Sequence, residues 1–185
     1  PRSTLLPYTT LFRSASGMSY LNTEMVTDMS YMFYNCPKLT DDDLDFSNFN
    51  TASVTNMSNM FKDCSQLVQP DLSSFDTRSC TNMNYMFSDC TGLTSLDLSM
   101  FETTNCNFNS MFSNCYNLES LNMGAFGVTD TYVCNEMFKN CSRLHELVIP
   151  SAFNKLTEAF AGCDYLFEVY CYKPEPFEVW RNCDI

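Results

Sequence analysis

A chain of 185 residues, 45% of them hydrophobic, is long enough for one sizeable core or for an elongated repeat array. Twenty-two acidic against ten basic residues leave a net charge of −12, which argues against nucleic-acid or anionic-lipid binding, since phosphate recognition needs clustered Lys and Arg. No apolar run approaches the roughly 20 residues needed to span a bilayer.

Residues 4–14 read TLLPYTTLFRS. Apart from Leu6 they match TLFPYTTLFRS, the translation of a widely used sequencing adapter. Residues 1–14 are therefore read as an artefactual leader and set aside from fold reasoning. On that reading the natural start of the protein lies upstream of what is visible.

Self-similarity dominates the rest. Units open VTDMSYMFYNCPKL (26–39), VTNMSNMFKDCSQL (54–67), CTNMNYMFSDCTGL (80–93), NCNFNSMFSNCYNL (105–118), TYVCNEMFKNCSRL (131–144) and, more loosely, FNKLTEAFAGCDYL (153–166). Their aligned cysteines are Cys36, Cys64, Cys90, Cys115, Cys141 and Cys163, spaced 22 to 28 residues apart. Met57, Met60, Phe61, Cys64 and Leu67 fall at i, i+3, i+4, i+7 and i+10, which predicts one face of a short helix, with Thr55 and Asn56 as its N-cap candidates. In LTSLDLSMF (93–101), Leu96 and Leu98 alternate with polar residues as in a half-buried strand. Leu121 with Met123, and Leu147 with Ile149, repeat that alternation. Neither element can bury its face alone, so stacking must form the core. The expected fold is an α/β repeat solenoid, a leucine-rich-repeat-like stack of short strands and short helices with one right-handed coil per ~25 residues. Residues 15–169 form the array, about five and a half repeats with the first truncated; 170–185 form a C-terminal cap or a truncated further repeat. Tyr172, Pro174, Pro176, Phe177 and Trp180 in that last stretch suit a cover for the open end.

The eleven cysteines include no Cys-x-x-Cys, and His145 is the sole histidine, so the spacing asks for no zinc site. Each repeat cysteine follows Met-Phe at a buried position and is read as packing. The five remaining are Cys80, Cys106, Cys134, Cys171 and Cys183; Cys80, Cys134 and Cys171 replace a valine, a methionine and a strand leucine, and Cys183, near the end, is the best candidate for a reactive or paired thiol. A thiol–imidazole dyad would have to use His145, which occupies a variable surface position. There is no Gly-rich phosphate loop and no Gly-x-Ser-x-Gly elbow. The chain is read as no enzyme, with no catalytic, cofactor-binding or metal residues. The candidate binding face is the outward row of strand positions, Asp43, Asp71, Asp97, Asn122, Val148 and Tyr170.

The combination VTxMxxMFxxCxxLxxLDLSxF resembles the BspA-like leucine-rich repeat family of bacterial surface proteins. Its last units, HELVIPSAFNKLTEAFAGCDYLFEVYCY (145–172), look like that family's Ile-Pro, Ala-Phe-x-x-Cys and Leu-x-x-Val rhythm. The resemblance covers residues 15 to about 176. It implies an adhesion or protein-recognition module, extracellular at the cell surface, whose partners are host matrix or surface glycoproteins or other microbes. The array itself is expected to be monomeric, without cofactor, membrane insertion or nucleic-acid partner. The alternative is an intracellular repeat scaffold or effector holding a partner protein, which the many cysteines favour.

Overall fold

Successive units lie side by side in parallel, and the segment expected to be helical is the clearest departure from expectation. The computed structural model describes residues 18, 20–103, 106–123, 126, 134–150, 158–166, 168–172 and 178–180. Residues 1–14, read as an artefactual leader, and Pro174, Pro176, Phe177 and Cys183 lie outside the described residues. Among the described residues there is no α-helix, and the one helical element with assigned bounds is a 3-10 turn at Asp41–Asp43.

The amides of residues 57–64 show why Met57-to-Cys64 is not a helix. Met57, Asn59, Phe61 and Asp63 donate across to the next unit, to the carbonyls of Asn82, Asn84, Met86 and Ser88 at 2.8–3.0 Å. Met60, Lys62 and Cys64 donate three residues back, to Met57, Asn59 and Phe61, and Ser58 donates to the Asn56 side chain. Every one of these eight amides is therefore satisfied without the i−4 bonds of an α-helix. The pattern recurs one unit earlier, from Met29 to Asn35, and one unit later, from Met83 to Asp89. Two residues per unit take positive φ to make the tight turns: Tyr31 and Asn35, Asn59 and Asp63, Tyr85 and Asp89, Ser110 and Asn114, Glu136 and Asn140, Glu158 and Gly162. The second of each pair precedes the repeat cysteine and is always Asn, Asp or Gly, the residue types that tolerate the left-handed region. Asn56 acts as a turn cap and not as a helix cap; Asp28 and Asn82 cap the amides of Ser30 and Asn84 in the same way. Asp28, Asn56, Asn82 and Asn107 also pair in parallel from unit to unit.

Stacking at this spacing places like side chains on like. Phe33, Phe61, Phe87, Phe112, Phe138 and Phe160 form one column with ring centroids 5.2–5.8 Å apart and planes within 11° of parallel. Met60, Met86, Met111 and Met137 are fully buried beside it, and Phe75, Phe101 and Phe126 make a second column. The repeat cysteines are buried, Cys163 only in part, and from Cys64 on their thiols donate to the phenylalanine carbonyl of the preceding unit: Cys64 to Phe33, Cys90 to Phe61, Cys115 to Phe87, Cys141 to Phe112 and Cys163 to Phe138, at 2.9–3.1 Å. A small apolar side chain with one weak donor suits that slot.

The left-handed positions carry a polar ladder on the outside. Asn140 donates to Asn114 at 2.8 Å, Asn114 to Asp89 at 2.7 Å, and Lys62 pairs with Asp89 at 2.7 Å. Partial burial pushes the Asp89 carboxyl up, but hydrogen bonds from Lys62, Ser88 and Asn114 outweigh it and hold the group below its usual range. Its contribution to stability is present above the ordinary carboxylate range, near pH 4, and is lost as pH falls through the lower folded value. Asp89→Asn is accordingly expected to lower the urea midpoint at pH 7, with the gap to the unmodified chain closing as pH falls below the ordinary carboxylate range. A gap that stays constant with pH would remove the ionised carboxylate from the ladder.

The strands are short. β1 (Ser95–Asp97), β2 (Ser120–Asn122), β3 (Glu146–Pro150) and β4 (Glu168–Tyr172) pair in parallel in sequence order, and β5 (Glu178–Trp180) adds antiparallel to β4. Leu96, Leu98, Leu121, Met123, Leu147 and Ile149 point into the core at 5% exposure or less. Parallel strand order ends at β4, where the chain reverses.

The first two full units lack strands. Pro70 stands at the place of Leu96 and has no amide to donate. In the unit before, Cys36 and Cys64 are 28 residues apart where Cys64 and Cys90 are 26, and the longer segment includes the Asp41–Asp43 turn. Asp41 ties that turn to the next unit by accepting the amides of Val68 and Gln69. No helix of the described residues is long and apolar enough to cross a membrane.

Candidate functional site

The outward row starts from a short local motif. In D-[F/L]-S, an aspartate accepts the amide two residues on: Asp71 from Ser73 and Asp97 from Ser99, each at 2.9 Å. The hydrophobic residue between them turns inward, Leu72 at 3% exposure and Leu98 at 0%. The carboxylate is thereby fixed at the surface on the side opposite the core.

Asp45 makes the same turn with Ser47 at 3.1 Å, and Phe46 after it is buried. Asp45, and not the expected Asp43, is the member of the row in this unit. Asp43 is instead engaged in capping the 3-10 turn, where its carboxylate accepts both the amide and the hydroxyl of Thr40 at 2.9 and 2.8 Å. Sequence reading missed Asp45 because it counted forward from Leu39 across the two extra residues. Counting back from the buried phenylalanine would have found it, since DFSNF, DLSSF and DLSMF all end on Phe49, Phe75 or Phe101.

The remaining members are set by strand register. Asp97 pairs with Asn122, Asn122 with Val148 and Val148 with Tyr170. Asp71 and Asp97 are exposed, while Asn122, Val148 and Tyr170 are half-buried. Hydrogen bonds from the amide and hydroxyl of Ser73 hold the Asp71 carboxyl below its usual range, and Ser47 does the same for Asp45.

Two shallow grooves flank Asp97. One, of about 300 Å³, runs between Asp71 and Asp97 past Gln69, Ser73, Ser95 and Met100. The other, of about 310 Å³, lies over the sheet between Ser95, Asp97, Ser120, Asn122, Glu146 and Val148. Among the described residues, no basic side chain lines either one. Lys62, Arg78, Lys139 and Arg143 pair with Asp89, Asp76, Glu136 and Glu119, none of which lies in these grooves. The face thus combines carboxylates, an amide and hydroxyls with the exposed apolar surface of Val148 and Met100. It can accept hydrogen bonds and attract positive charge along an extended partner.

A third groove, of about 670 Å³, is lined by Glu119, Arg143, His145 and Tyr165. Arg143 pairs with Glu119 at 2.6 Å and His145 Nδ1 lies 3.2 Å from the Arg143 carbonyl. No described cysteine lines this groove, so the single imidazole and the thiols are not brought together there. Deep in the column the thiols are poor nucleophiles: burial pushes Cys64 up to about 12 and raises Cys90 and Cys115 strongly. Among the described residues, no three His, Cys, Asp or Glu side chains converge to hold a metal ion.

No curated protein and no solved structure matches the chain. A family profile does, over residues 7–120 and again over 95–164, so the match takes in residues 7–14 as well as the units. The chain belongs to the family described as Mycoplasma protein of unknown function, DUF285.

Proposed function

We propose that this chain is a solenoid of BspA-like leucine-rich repeats of the Met-Phe-x-x-Cys-x-x-Leu type. It serves as a non-catalytic recognition and adhesion module of a bacterial cell-surface protein. The family match is compatible with a repeat surface protein. The observation that carries the reading is the row Asp71, Asp97, Asn122, Val148 and Tyr170, which comes from successive units and is flanked by open grooves. Repeat proteins bind through such rows because each unit adds one side chain to a continuous surface. The partner is a protein.

The second reading, an intracellular scaffold using the same row, is favoured by the cysteines: the nine whose side chains are described are free. Both readings place binding on the same face and differ in compartment.

Binding is tested with the full chain over immobilised fibronectin, fibrinogen and mucin-type glycoprotein. Saturable binding to at least one is expected, weakened about tenfold or more, roughly 1.4 kcal/mol, by Asp71→Ala with Asp97→Ala. Both side chains are exposed, so the double variant should keep the circular dichroism spectrum of the parent. Unchanged binding by a folded double variant would remove the row as the site, and absence of binding to all three would count against the surface reading.

A further inference from the structure

One pair of thiols stands apart from the cysteine column. Thr23, Thr51, Thr77 and Thr103 are buried at 1–2% exposure, and three residues after each comes Val26, Val54, Cys80 or Cys106, also buried. The amides of Val26, Val54 and Cys80 each donate to the threonine carbonyl three residues back at 2.9 Å. Cys80 and Cys106 therefore follow one another in the valine column, although alignment on Met-Phe puts Asn105 there. The unit is one residue short after Cys106, and the ladder resumes at Asn107, which pairs with Asn82.

These two thiols lack the short carbonyl bond of the repeat cysteines. Cys80 Sγ lies 3.7 and 3.6 Å from the carbonyls of Thr55 and Asn82, and Cys106 Sγ lies 3.7 Å from that of Asn107. Asn107 donates its amide to the Thr81 carbonyl at 3.1 Å as Thr81 does to Thr55 at 2.9 Å, which seats Cys106 next to Cys80 in the stack, and interaction between the two thiols favours loss of one proton from the pair. Parallel neighbours about 4.8 Å apart fall within the Cα separation that a disulfide spans. The sulfur of the pair that gives up its proton is the attacking one.

We propose that Cys80 and Cys106 form an oxidisable dithiol that a small peroxide closes into a disulfide, stapling two successive units of the stack. The Cys80 sulfur, having lost its proton, attacks one peroxide oxygen; the O–O bond breaks, leaving a sulfenic acid and a hydroxide that takes up that proton as water. The Cys106 sulfur then attacks the Cys80 sulfur; the S–S bond forms and the departing hydroxide takes the Cys106 proton as a second water. Two thiols are oxidised and one hydrogen peroxide is reduced to two waters. Since both sulfurs are buried, at 2% and 0% exposure, a small oxidant is required and the reaction is slow.

The full chain is treated with hydrogen peroxide until Met100, 70% exposed, is fully converted to its sulfoxide, then digested without reductant and mapped by mass spectrometry. A Cys80–Cys106 linked peptide is expected, 2 Da lighter than the summed reduced peptides and reversed by dithiothreitol. The thermal midpoint should rise by about 5–10 °C over the reduced chain, the entropic effect of closing a loop of this size. Cys80→Val restores the residue of the column and should fold normally without yielding the link or the gain in midpoint. If Cys80 and Cys106 remain free thiols once Met100 is oxidised, or if Cys106 instead links to a cysteine of the repeat column, the proposal is overturned.

Discussion

Replacing Phe87 by alanine is expected to lower the unfolding free energy by about 3–5 kcal/mol, or roughly 10 °C in thermal midpoint for a chain of this size. Phe87 is completely buried and its ring lies between Phe61 at 5.3 Å and Phe112 at 5.5 Å, nearly parallel to both. The truncation removes apolar burial, opens a cavity within the column and ends two aromatic contacts at once. The backbone ladder holds the neighbouring units at fixed spacing, so the gap cannot be closed by one side chain moving in. Phe160, at 8% exposure and with Phe138 as its one described stacking partner, should cost clearly less when changed to alanine. Urea unfolding followed by circular dichroism compares the two; equal losses would mean that the column does not act as a continuous stack.

Asn114→Val should be about as damaging, for a reason of backbone conformation. Asn114 has φ 64°, a region in which a β-branched residue is strained by about 1–3 kcal/mol. Its amide side chain donates to Asp89 and accepts from Asn140. Losing both adds about 1–3 kcal/mol, since one partner is ionised. The expected total is about 2–6 kcal/mol. Asn114→Gly separates the two causes, because glycine adopts the turn freely and loses only the hydrogen bonds. It should fall well short of the valine variant. If glycine and valine cost the same, backbone strain is not what selects Asn, Asp or Gly before the repeat cysteine.

The periodicity of the sequence located the buried residues but misjudged the backbone that buries them. Met57, Met60, Phe61, Cys64 and Leu67 all reach the core, as their three- and four-residue spacing requires. A chain of three-residue turns with every second amide donated to the next unit returns side chains inward at nearly the same spacing as a helix. The distinguishing signal was present in Asn35, Asp63, Asp89, Asn114, Asn140 and Gly162, since an obligate turn former has no reason to recur inside a helix. The strand alternation from Leu96 onward was legible, and so was the outward row Asp97, Asn122, Val148 and Tyr170, because register follows from unit length once β1 is placed. Asp43 was misplaced, and Cys106 went unassigned to the valine column, for one shared reason: units of unequal length shift every position beyond the extra or missing residue. Which of the two segments absorbs the difference is decided by contacts between units, which no single unit encodes.

The central claim is that successive units pair as parallel ladders holding the row of Asp71, Asp97, Asn122 and Val148 outward. Nuclear Overhauser spectra of the isotopically labelled chain test it most directly. Contacts are expected from the Leu98 amide to Asn122 and from the Met123 amide to Val148, whose carbonyls those amides reach at 2.9 and 2.8 Å, together with contacts from Phe61 to Met86 and from Phe87 to Met111. Absence of these contacts, with a continuous run of helical contacts four residues apart through residues 57–67, would contradict it.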